Sequence, residues 1–425
     1  MTKALGIYGR LHPSVFLLFV AELLLNALQA AFVLILNLYL RKLGYDDSQI
    51  AAWVSYRYLG ALLLSLPLGF WLRGRRVKPW LLASVVGLPL FSFTQLEALR
   101  LGLPGAVELS ILLWGLSYGI LQVVALPYLL RLVNHRWHSE AIALHYSNAF
   151  AGFIVAGAVI YGVPLESFRA LPGGETGLLE LPILRMFTLL SLVALPLMAL
   201  LAEGTPTARE SRVSLNSALW QQLKTAYDWQ PLLKALIPTT IIAVGAGLTF
   251  PFVNLFFYQV FQVDSTQFGL LGAVSSALVV VGALLVPALK RRYGYRIVIT
   301  LSQTLAVVFL VILGLTQLAQ PAAWALPLAI ATYLIRQPLM NIAAPMTSEL
   351  TLLYAGERNR EMVGALTSSI WSGSWFLSAR IFQGMRAGEL DYWQVFLITA
   401  AFYAIGVYAY YRMIVSHERR AQPAH

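Results

Sequence analysis

A stripe of polar side chains interrupts the first long apolar stretch of this sequence. Glu22, Asn26 and Gln29 recur at helical spacing, so they would share one face of a helix whose other positions are mostly Leu, Phe, Val and Ala. Such a stripe must face protein or water rather than lipid. We interpret it as the lining of a substrate cavity, with a network of interhelical hydrogen bonds as the alternative.

Arginine also occurs inside stretches that are apolar enough to cross a bilayer. Arg336 lies near the middle of the tenth such stretch and is followed by Gln337 and Asn341, whereas Arg57 lies nearer one end of the second. An ionised side chain at the bilayer centre costs roughly 2.5 to 3.5 kcal/mol on insertion scales, so it needs a partner, a wet cavity or a function. We predict that Arg336 and Arg57 bind substrate, with outward snorkelling as the alternative for Arg57. Arg380, near the end of the eleventh stretch, is interpreted as a snorkelling side chain or a gate contact.

Aromatic and amide side chains repeat this helical spacing on other segments. Such rows more often reflect packing than binding, but a lining of this kind suits a polar organic ligand. The substrate-binding candidates on these segments are Tyr118, Gln122, Asn254, Tyr258, Trp371 and Trp375. His145 stands one turn from Asn148 and is interpreted as a partner in an interhelical hydrogen bond rather than as a proton carrier.

The balance of these buried charges indicates the chemistry. Three arginines against the single acid Glu22 predict a positively charged cavity, which favours an anionic or strongly polar substrate. A buried carboxyl group exchanges a proton when its surroundings change, so Glu22 is the predicted proton-coupling residue. Substrate binding at Arg336 would then be linked to proton exchange at Glu22.

Composition argues against several other classes of function. Cysteine is absent, which removes disulfides, thiolate metal sites and cysteine nucleophiles. No His-Glu-x-x-His motif occurs, and we predict no enzyme activity, no metal site and no cofactor. The net charge of +11 reflects membrane topology rather than nucleic-acid binding. The predicted partners are a small-molecule substrate, protons and the lipid bilayer, and the chain is predicted to act as a monomer.

The sequence predicts an all-α membrane protein. Its hydrophobic fraction is 59% and its charged fraction is 12%, far from the values of soluble domains. Windows of about twenty apolar residues indicate membrane-spanning helices. Twelve are predicted, at 13–40, 48–72, 79–99, 106–132, 140–163, 182–202, 232–260, 267–289, 297–319, 322–347, 361–385 and 392–414.

Basic residues are distributed unevenly between the predicted loops. Most of the 30 Lys and Arg residues fall in the chain ends and in the loops that follow spans of even number. The opposite loops hold Arg41, Lys42, Arg100, Arg169, Arg185 and Arg386. Because basic loops remain on the cytoplasmic side, both termini are predicted to be cytoplasmic, in a bacterial inner membrane.

Short sequence matches recur in the same order at a spacing of about 218 residues. Asn37-Leu38-Tyr39 recurs as Asn254-Leu255-Phe256, Gln49-Ile50-Ala51 as Gln267-Phe268-Gly269, and Ala125-Leu126-Pro127 as Ala343-Ala344-Pro345. The chain is therefore predicted to contain two related halves, 1–202 and 232–425, each a six-helix bundle. A cytoplasmic linker, 203–231, would join them and contain a helix that lies on the membrane surface.

A turn rich in glycine and arginine follows the second and the eighth predicted spans. Its residues are Gly69, Arg73, Gly74, Arg75 and Arg76 in the first copy and Arg292, Gly294 and Arg296 in the second. With six helices on each side of a central linker, this pattern resembles the major facilitator superfamily. The Asp of the family's loop motif is missing from both copies, so the conformational latch that this acid forms in the family is in doubt here.

The resemblance implies two six-helix bundles related by a pseudo-two-fold axis along the membrane normal. It further implies alternating access to a midplane cavity lined by the first, fourth, seventh and tenth helices. The predicted function is secondary active transport of a small polar, anionic organic solute, coupled to protons by symport or antiport. Two alternatives stay open: a multidrug or lipid exporter of the same fold, and a solute sensor that no longer transports.

Overall fold

The described part of the chain is helical. The structure is a computed structural model that describes residues 13–71, 75–133, 138–163, 167, 178–202, 227–356 and 359–421. The helices are α1 Pro13–Lys42, α2 Asp47–Trp71, α3 Lys78–Arg100, α4 Pro104–Leu132, α5 His138–Gly162, α6 Glu180–Ser191, α7 Ala194–Ala199, α8 Trp229–Thr249, α9 Val253–Phe261, α10 Ser265–Leu315, α11 Ala325–Ala355, α12 Arg360–Ala387 and α13 Tyr392–Ala421. Helices satisfy their own backbone hydrogen bonds, which is why long apolar segments adopt them.

Contacts within the chain divide it into two units. Unit 1 contains Met1–Tyr39 and Tyr56–Leu215, and unit 2 contains Leu40–Ser55 and Asn216–His425. The end of α1 and the first turns of α2 therefore belong to unit 2, although the chain on either side of them belongs to unit 1.

Glycine allows close approach between helices of unit 1. A Cβ atom at Gly115 of α4 would lie 1.9 Å from the backbone oxygen of Arg57 in α2, and one at Gly152 of α5 would lie 2.6 Å from the backbone of Asn26 in α1. Small residues at such contacts are typical of membrane helices, whose association depends on close packing. These contacts fix the backbone at Arg57 and Asn26, two of the predicted substrate-binding residues.

The core of unit 2 is aromatic. The ring of Phe256 lies 4.9 Å from that of Phe396 and 5.8 Å from that of Tyr392. Phe252 and Phe382 stack with their centroids 3.9 Å apart. All five side chains are buried, and they join the segment around α9 to α12 and α13.

The starts of α2 and α10 have the same local structure. Asp46 Oδ1 accepts a hydrogen bond from the backbone nitrogen of Gln49 at 2.7 Å, and Gln49 Oε1 accepts one from the backbone nitrogen of Asp46 at 3.3 Å. Asp264 and Gln267 form the same reciprocal pair, at 2.8 and 3.1 Å. Each capping box satisfies amide groups that a helix start leaves unpaired. The two boxes occur at the spacing of the sequence repeat.

Helix α10 contains a kink. Gly294 has φ +72°, a conformation that residues with a side chain rarely adopt, so α10 consists of two helices that meet there. The predicted spans 267–289 and 297–319 lie on either side of it.

Within the described residues, eight segments are long and apolar enough to span a membrane. They are Pro13–Lys42, Lys78–Arg100, Pro104–Leu132, Leu144–Gly162, Glu180–Ala199, Trp229–Phe261, Ser265–Leu315 and Tyr392–Ser416. Helices α2, α11 and α12 are not among these segments. They carry Arg57, Arg336 and Arg380 respectively.

Several predictions fall outside the described residues. Arg73 and Gly74 of the first glycine-arginine turn are among them. So is most of the predicted linker, from residue 203 to 226, with its membrane-surface helix.

Candidate functional site

Glu22 lies in the interior of unit 1, where α1 meets α5. The residue is 3% exposed, and its Oε1 lies 3.2 Å from Nδ1 of His145. Asn148, one turn farther along α5, donates from Nδ2 to Glu22 Oε2 at 3.5 Å and to the backbone oxygen of Phe19 at 2.9 Å. A carboxylate, an imidazole and an amide thus join the two helices.

A small cavity adjoins this carboxylate. It is lined by Glu22, Asn26, Leu121, Gln122, Ala125 and His145. Its total empty space is about 190 Å³, partly open to solvent, but much of this is narrow and leaves room for about one water molecule. Gln29, the third residue of the predicted stripe, is not part of the lining, and its buried Oε1 has no hydrogen-bond partner among the described residues.

Arg57 occupies a second polar position in unit 1. The central carbon of its guanidinium lies 4.5 Å from the ring centroid of Trp114, and Trp114 Nε1 donates to Ser92 Oγ at 2.8 Å. Tyr118 stacks on the same indole, with centroids 5.5 Å apart. A cation–π contact favours a guanidinium but does not neutralise it. No carboxylate in the described ranges lies within ion-pair distance of Arg57.

Arg336 is buried in unit 2, at 4% exposure. Its guanidinium lies 5.5 Å from the ring centroid of Tyr403, whose hydroxyl is within hydrogen-bonding reach. Its buried Nε makes no hydrogen bond, and no acid of the described chain lies within ion-pair distance. Gln337 is buried beside it, and its backbone oxygen accepts a hydrogen bond from Asn341 at 2.9 Å.

The remaining predicted substrate residues lie on α9 and α12 of unit 2. Asn254 is buried and Tyr258 is half-buried. Trp371 is 37% exposed, and its ring centroid lies 6.1 Å from that of Trp375 in an edge-to-face arrangement. Trp375 also contacts Phe250, at 5.6 Å. These three rings form an aromatic cluster beside α12.

The glycine-arginine turns make contacts inside their own units. The backbone oxygen of Arg75 accepts a hydrogen bond from Arg131 at 2.8 Å, and Arg296 donates to the hydroxyl of Tyr411 at 2.7 Å. Gly69 falls within α2, Gly294 forms the kink of α10, and Arg76 and Arg292 are exposed. The first turn therefore accepts a hydrogen bond from an arginine through its backbone carbonyl, and the second donates one to a phenol.

Sequence reasoning missed Asp47. This buried carboxylate of unit 2 accepts a hydrogen bond from Arg386 Nε at 2.9 Å and one from the hydroxyl of Tyr392 at 2.6 Å, both at Oδ2. Gln259 donates to its Oδ1. The guanidinium of Arg386 also lies over the Tyr392 ring, 4.4 Å from its centroid. The local sequence signals a helix start at Asp46, but it gives no sign that the next acid is buried.

One segment of α4 has the Gly-x-Ser-x-Gly spacing of hydrolases, Gly115-Leu116-Ser117-Tyr118-Gly119. A nucleophile elbow requires a sharp turn from a strand into a helix. Ser117 is instead buried in the middle of α4, where its Oγ donates to the backbone oxygen of Leu113 at 2.9 Å. The glycines serve helix packing, as described above for Gly115.

Comparison with known families decides the identity of the fold. The family model of the Major Facilitator Superfamily matches residues 15–379, most of the chain. The chain belongs to the major facilitator superfamily. The predicted family is thus confirmed, and the protein is an integral membrane protein with a transporter fold. None of the curated proteins matches it by sequence.

Solved structures of major facilitator transporters have this fold. The nucleoside transporter NupG aligns with a TM-score of 0.69 at 16% identity, over 95% of this chain and 99% of that one. A bacterial homologue of the iron transporter ferroportin, in its inward-facing state, has a TM-score of 0.71 at 14% identity and covers 94% and 98%. A bacterial homologue of the human lysosomal transporter Spinster has a TM-score of 0.71 at 12% identity, with 96% and 98% covered. At these identities the likeness shows the fold, and these relatives are transporters rather than enzymes.

Proposed function

We propose that this protein is a secondary active transporter that moves a small polar, anionic organic solute by alternating access and couples this movement to protons. It would cross a bacterial inner membrane twelve times as a monomer, with both termini in the cytoplasm. Residues 1–202 and 232–425 would form the two bundles, joined by the linker 203–231. The matching capping boxes at the starts of α2 and α10 support this repeat.

The observation that carries the proposal is the buried position of Arg336, which has no acid within ion-pair distance among the described residues. Leaving a buried charge without its partner costs about 3 to 5 kcal/mol, so such a charge persists where it serves a function. A carboxylate or phosphate on the solute would supply the missing partner through charge-assisted hydrogen bonds. Arg57, which also lacks a carboxylate partner among the described residues, is a second candidate ligand.

The surroundings of Glu22 support a different role. Its carboxylate faces His145 and adjoins space for about one water molecule, which suits a proton better than an organic solute. Solute binding would then depend mainly on Arg336, and proton coupling on the site around Glu22.

A thermal-shift screen of the purified protein tests the solute class. The panel contains small carboxylates, phosphate esters, neutral nucleosides, cationic dyes and lysolipids. We expect an anion to raise the melting temperature of the wild type and of Arg412→Gln, an exposed arginine of α13. The same anion should bind Arg336→Gln at least about tenfold more weakly. If the anion bound Arg336→Gln as tightly as Arg412→Gln, Arg336 would not be part of the substrate site.

Uptake into proteoliposomes under a pH gradient tests proton coupling. Glu22→Gln should abolish gradient-driven accumulation but preserve solute exchange. The matched control is Glu349→Gln, because Glu349 is 48% exposed and paired with Lys290 at 2.7 Å. Accumulation at the wild-type level in Glu22→Gln would show that Glu22 is not the coupling residue.

The aromatic cluster of Trp371, Trp375 and Phe250 favours one alternative, export of an amphipathic drug or lipid. A rise in melting temperature caused by dyes or lysolipids would support that function, provided that Trp375→Ala abolishes the rise. Tight binding of a solute without exchange would instead support a sensor.

A further inference from the structure

His145 is the ionisable neighbour of Glu22 that the proposed function leaves without a role. Its Nδ1 lies 3.2 Å from one carboxylate oxygen and 3.3 Å from the other, so the ring faces the whole carboxylate. The imidazole is 13% exposed and the carboxylate 4%. Both side chains are held by packed helices, because Gly152 brings α5 against α1 at Asn26.

Few other titratable groups face this pair. Helix α4 contributes Tyr118, which lies within electrostatic range of Glu22, and α5 contributes Tyr146, whose ring centroid is 5.6 Å from that of His145. Phenols are neutral near pH 7. Arg57 of α2 interacts with Tyr118. Across the described ranges, no further Lys, Arg, Asp or Glu lies within ion-pair distance of the two side chains.

The ring and the carboxylate interact favourably in two protonation states of the pair. With Glu22 ionised and His145 neutral, the Nδ1–H of the ring donates to the carboxylate and the pair carries one negative charge. A proton added at Nε2 makes an imidazolium, which the adjacent carboxylate stabilises, and the pair becomes neutral overall. Imidazole is the side chain that makes this change between about pH 5 and 8. A single water in the adjoining cavity would be a suitable donor.

We propose that Glu22 and His145 form a protonation couple in which His145 takes up the coupling proton while Glu22 orients the ring and stabilises its charge. The inference rests on the proposed proton-coupled function and names the second residue of its proton site. Glu22 is then the positioning residue and His145 the proton carrier, the reverse of the roles predicted from the sequence.

A double-mutant cycle tests this protonation couple. It compares melting temperatures at different pH values, with no solute added. The melting temperatures of the wild type, Glu22→Gln, His145→Gln and the double variant are measured by tryptophan fluorescence between pH 5.5 and 8.5. We expect the interaction between the two substitutions to be stronger at pH 5.5 than at pH 8.5, by a shift of about 3 °C. The control is Ser147→Ala, at an exposed neighbour on α5 whose hydroxyl donates to the backbone oxygen of Leu144. Combined with His145→Gln, it should show no such change with pH.

The outcomes separate this proposal from the proposed function. A pH-independent interaction means an ordinary hydrogen bond and overturns the couple, even if Glu22→Gln abolishes gradient-driven transport. A pH-dependent interaction supports the couple. If Glu22→Gln then still accumulates solute under a pH gradient, the couple stands and proton-coupled transport fails. Should Glu22→Gln not fold, His145→Lys keeps a cation beside the carboxylate, and its melting temperature should lose the wild-type dependence on pH; retention of that dependence overturns the couple.

Discussion

Asp47 and Arg336 are both buried charges of unit 2, but their surroundings differ. The carboxylate of Asp47 accepts hydrogen bonds from Arg386, Tyr392 and Gln259, so its charge and its lone pairs are satisfied. Arg336 has the ring of Tyr403 beside it, and its Nε has no hydrogen-bond partner among the described residues. A charge surrounded by its own partners stabilises one arrangement of the protein, whereas a charge left without a counterion is available to a ligand.

Glu22 of unit 1 lies between these two extremes. It has one imidazole partner, His145, and one neutral amide partner, Asn148. The three sites therefore differ in the number and kind of their partners: an ion pair at Asp47, a carboxylate–imidazole pair at Glu22, and at Arg336 a cation with no acid partner among the described residues. The same differences give the expected effects of substitution.

The largest effect is expected for Asp47→Ala. This change leaves the half-buried guanidinium of Arg386 without its acid and removes the acceptor of two further hydrogen bonds, so it should lower the free energy of unfolding by up to about 3 to 5 kcal/mol. Chemical unfolding in mixed micelles measures the loss. The control is the exposed neighbour Asp46, whose substitution by Ala removes only a helix cap and should cost about 0.5 to 2 kcal/mol. Equal losses at the two positions would contradict a special role for the buried acid.

Arg336→Met should change the free energy of unfolding in the opposite direction. The substitution removes a charge that has no acid partner among the described residues and retains an apolar side chain of similar length. The free energy of unfolding should therefore stay unchanged or rise by up to about 1 to 4 kcal/mol. The same unfolding assay applies. A marked loss of stability would show that Arg336 has a structural partner and would weaken its assignment as a substrate ligand.

Tyr392→Phe probes one hydrogen bond of the Asp47 cluster. The ring keeps its contacts with Phe256 and Arg386, while the hydroxyl that donates to Asp47 at 2.6 Å is lost. A hydrogen bond to a charged group contributes about 1.5 to 3 kcal/mol, so the stability loss should be smaller than that of Asp47→Ala. Tyr408→Phe, at an exposed tyrosine of the same helix, provides the control. A loss as large as that of Asp47→Ala would mean that ring packing, rather than the carboxylate, governs the cluster.

The smallest effect is expected for Gly152→Ala. An added Cβ meets the backbone of Asn26 at 2.6 Å, so α5 must move away from α1, at a cost of about 1 to 3 kcal/mol. The movement should also reduce the pH-dependent interaction between Glu22 and His145 in the double-mutant cycle. Gly162→Ala near the end of the same helix, where nothing lies within 4 Å, is the matched control. An unchanged cycle in Gly152→Ala would indicate that the pair does not depend on this helix contact.

Much of the architecture follows from the sequence alone. Backbone groups in lipid must hydrogen-bond within their own segment, so long apolar stretches become helices whatever their neighbours are. The loop glycines and the repeat pointed to the major facilitator superfamily, and the family model confirms this. Helical spacing also placed Glu22 and Asn26 on one face, because that relation depends only on the pitch of α1.

Tertiary structure decided which charges meet. His145 and Glu22 are 123 positions apart, and Arg386 and Asp47 are 339 positions apart, so no local pattern connects them. A single sequence gives the cost of burying each charge, but the partner that offsets this cost comes from whichever helix packs against it. For that reason the sequence predicted Arg336 and Glu22 as unusual residues. Only the packed helices distinguish Arg336, which has no acid partner in the described part of the chain, from Glu22, which lies beside His145.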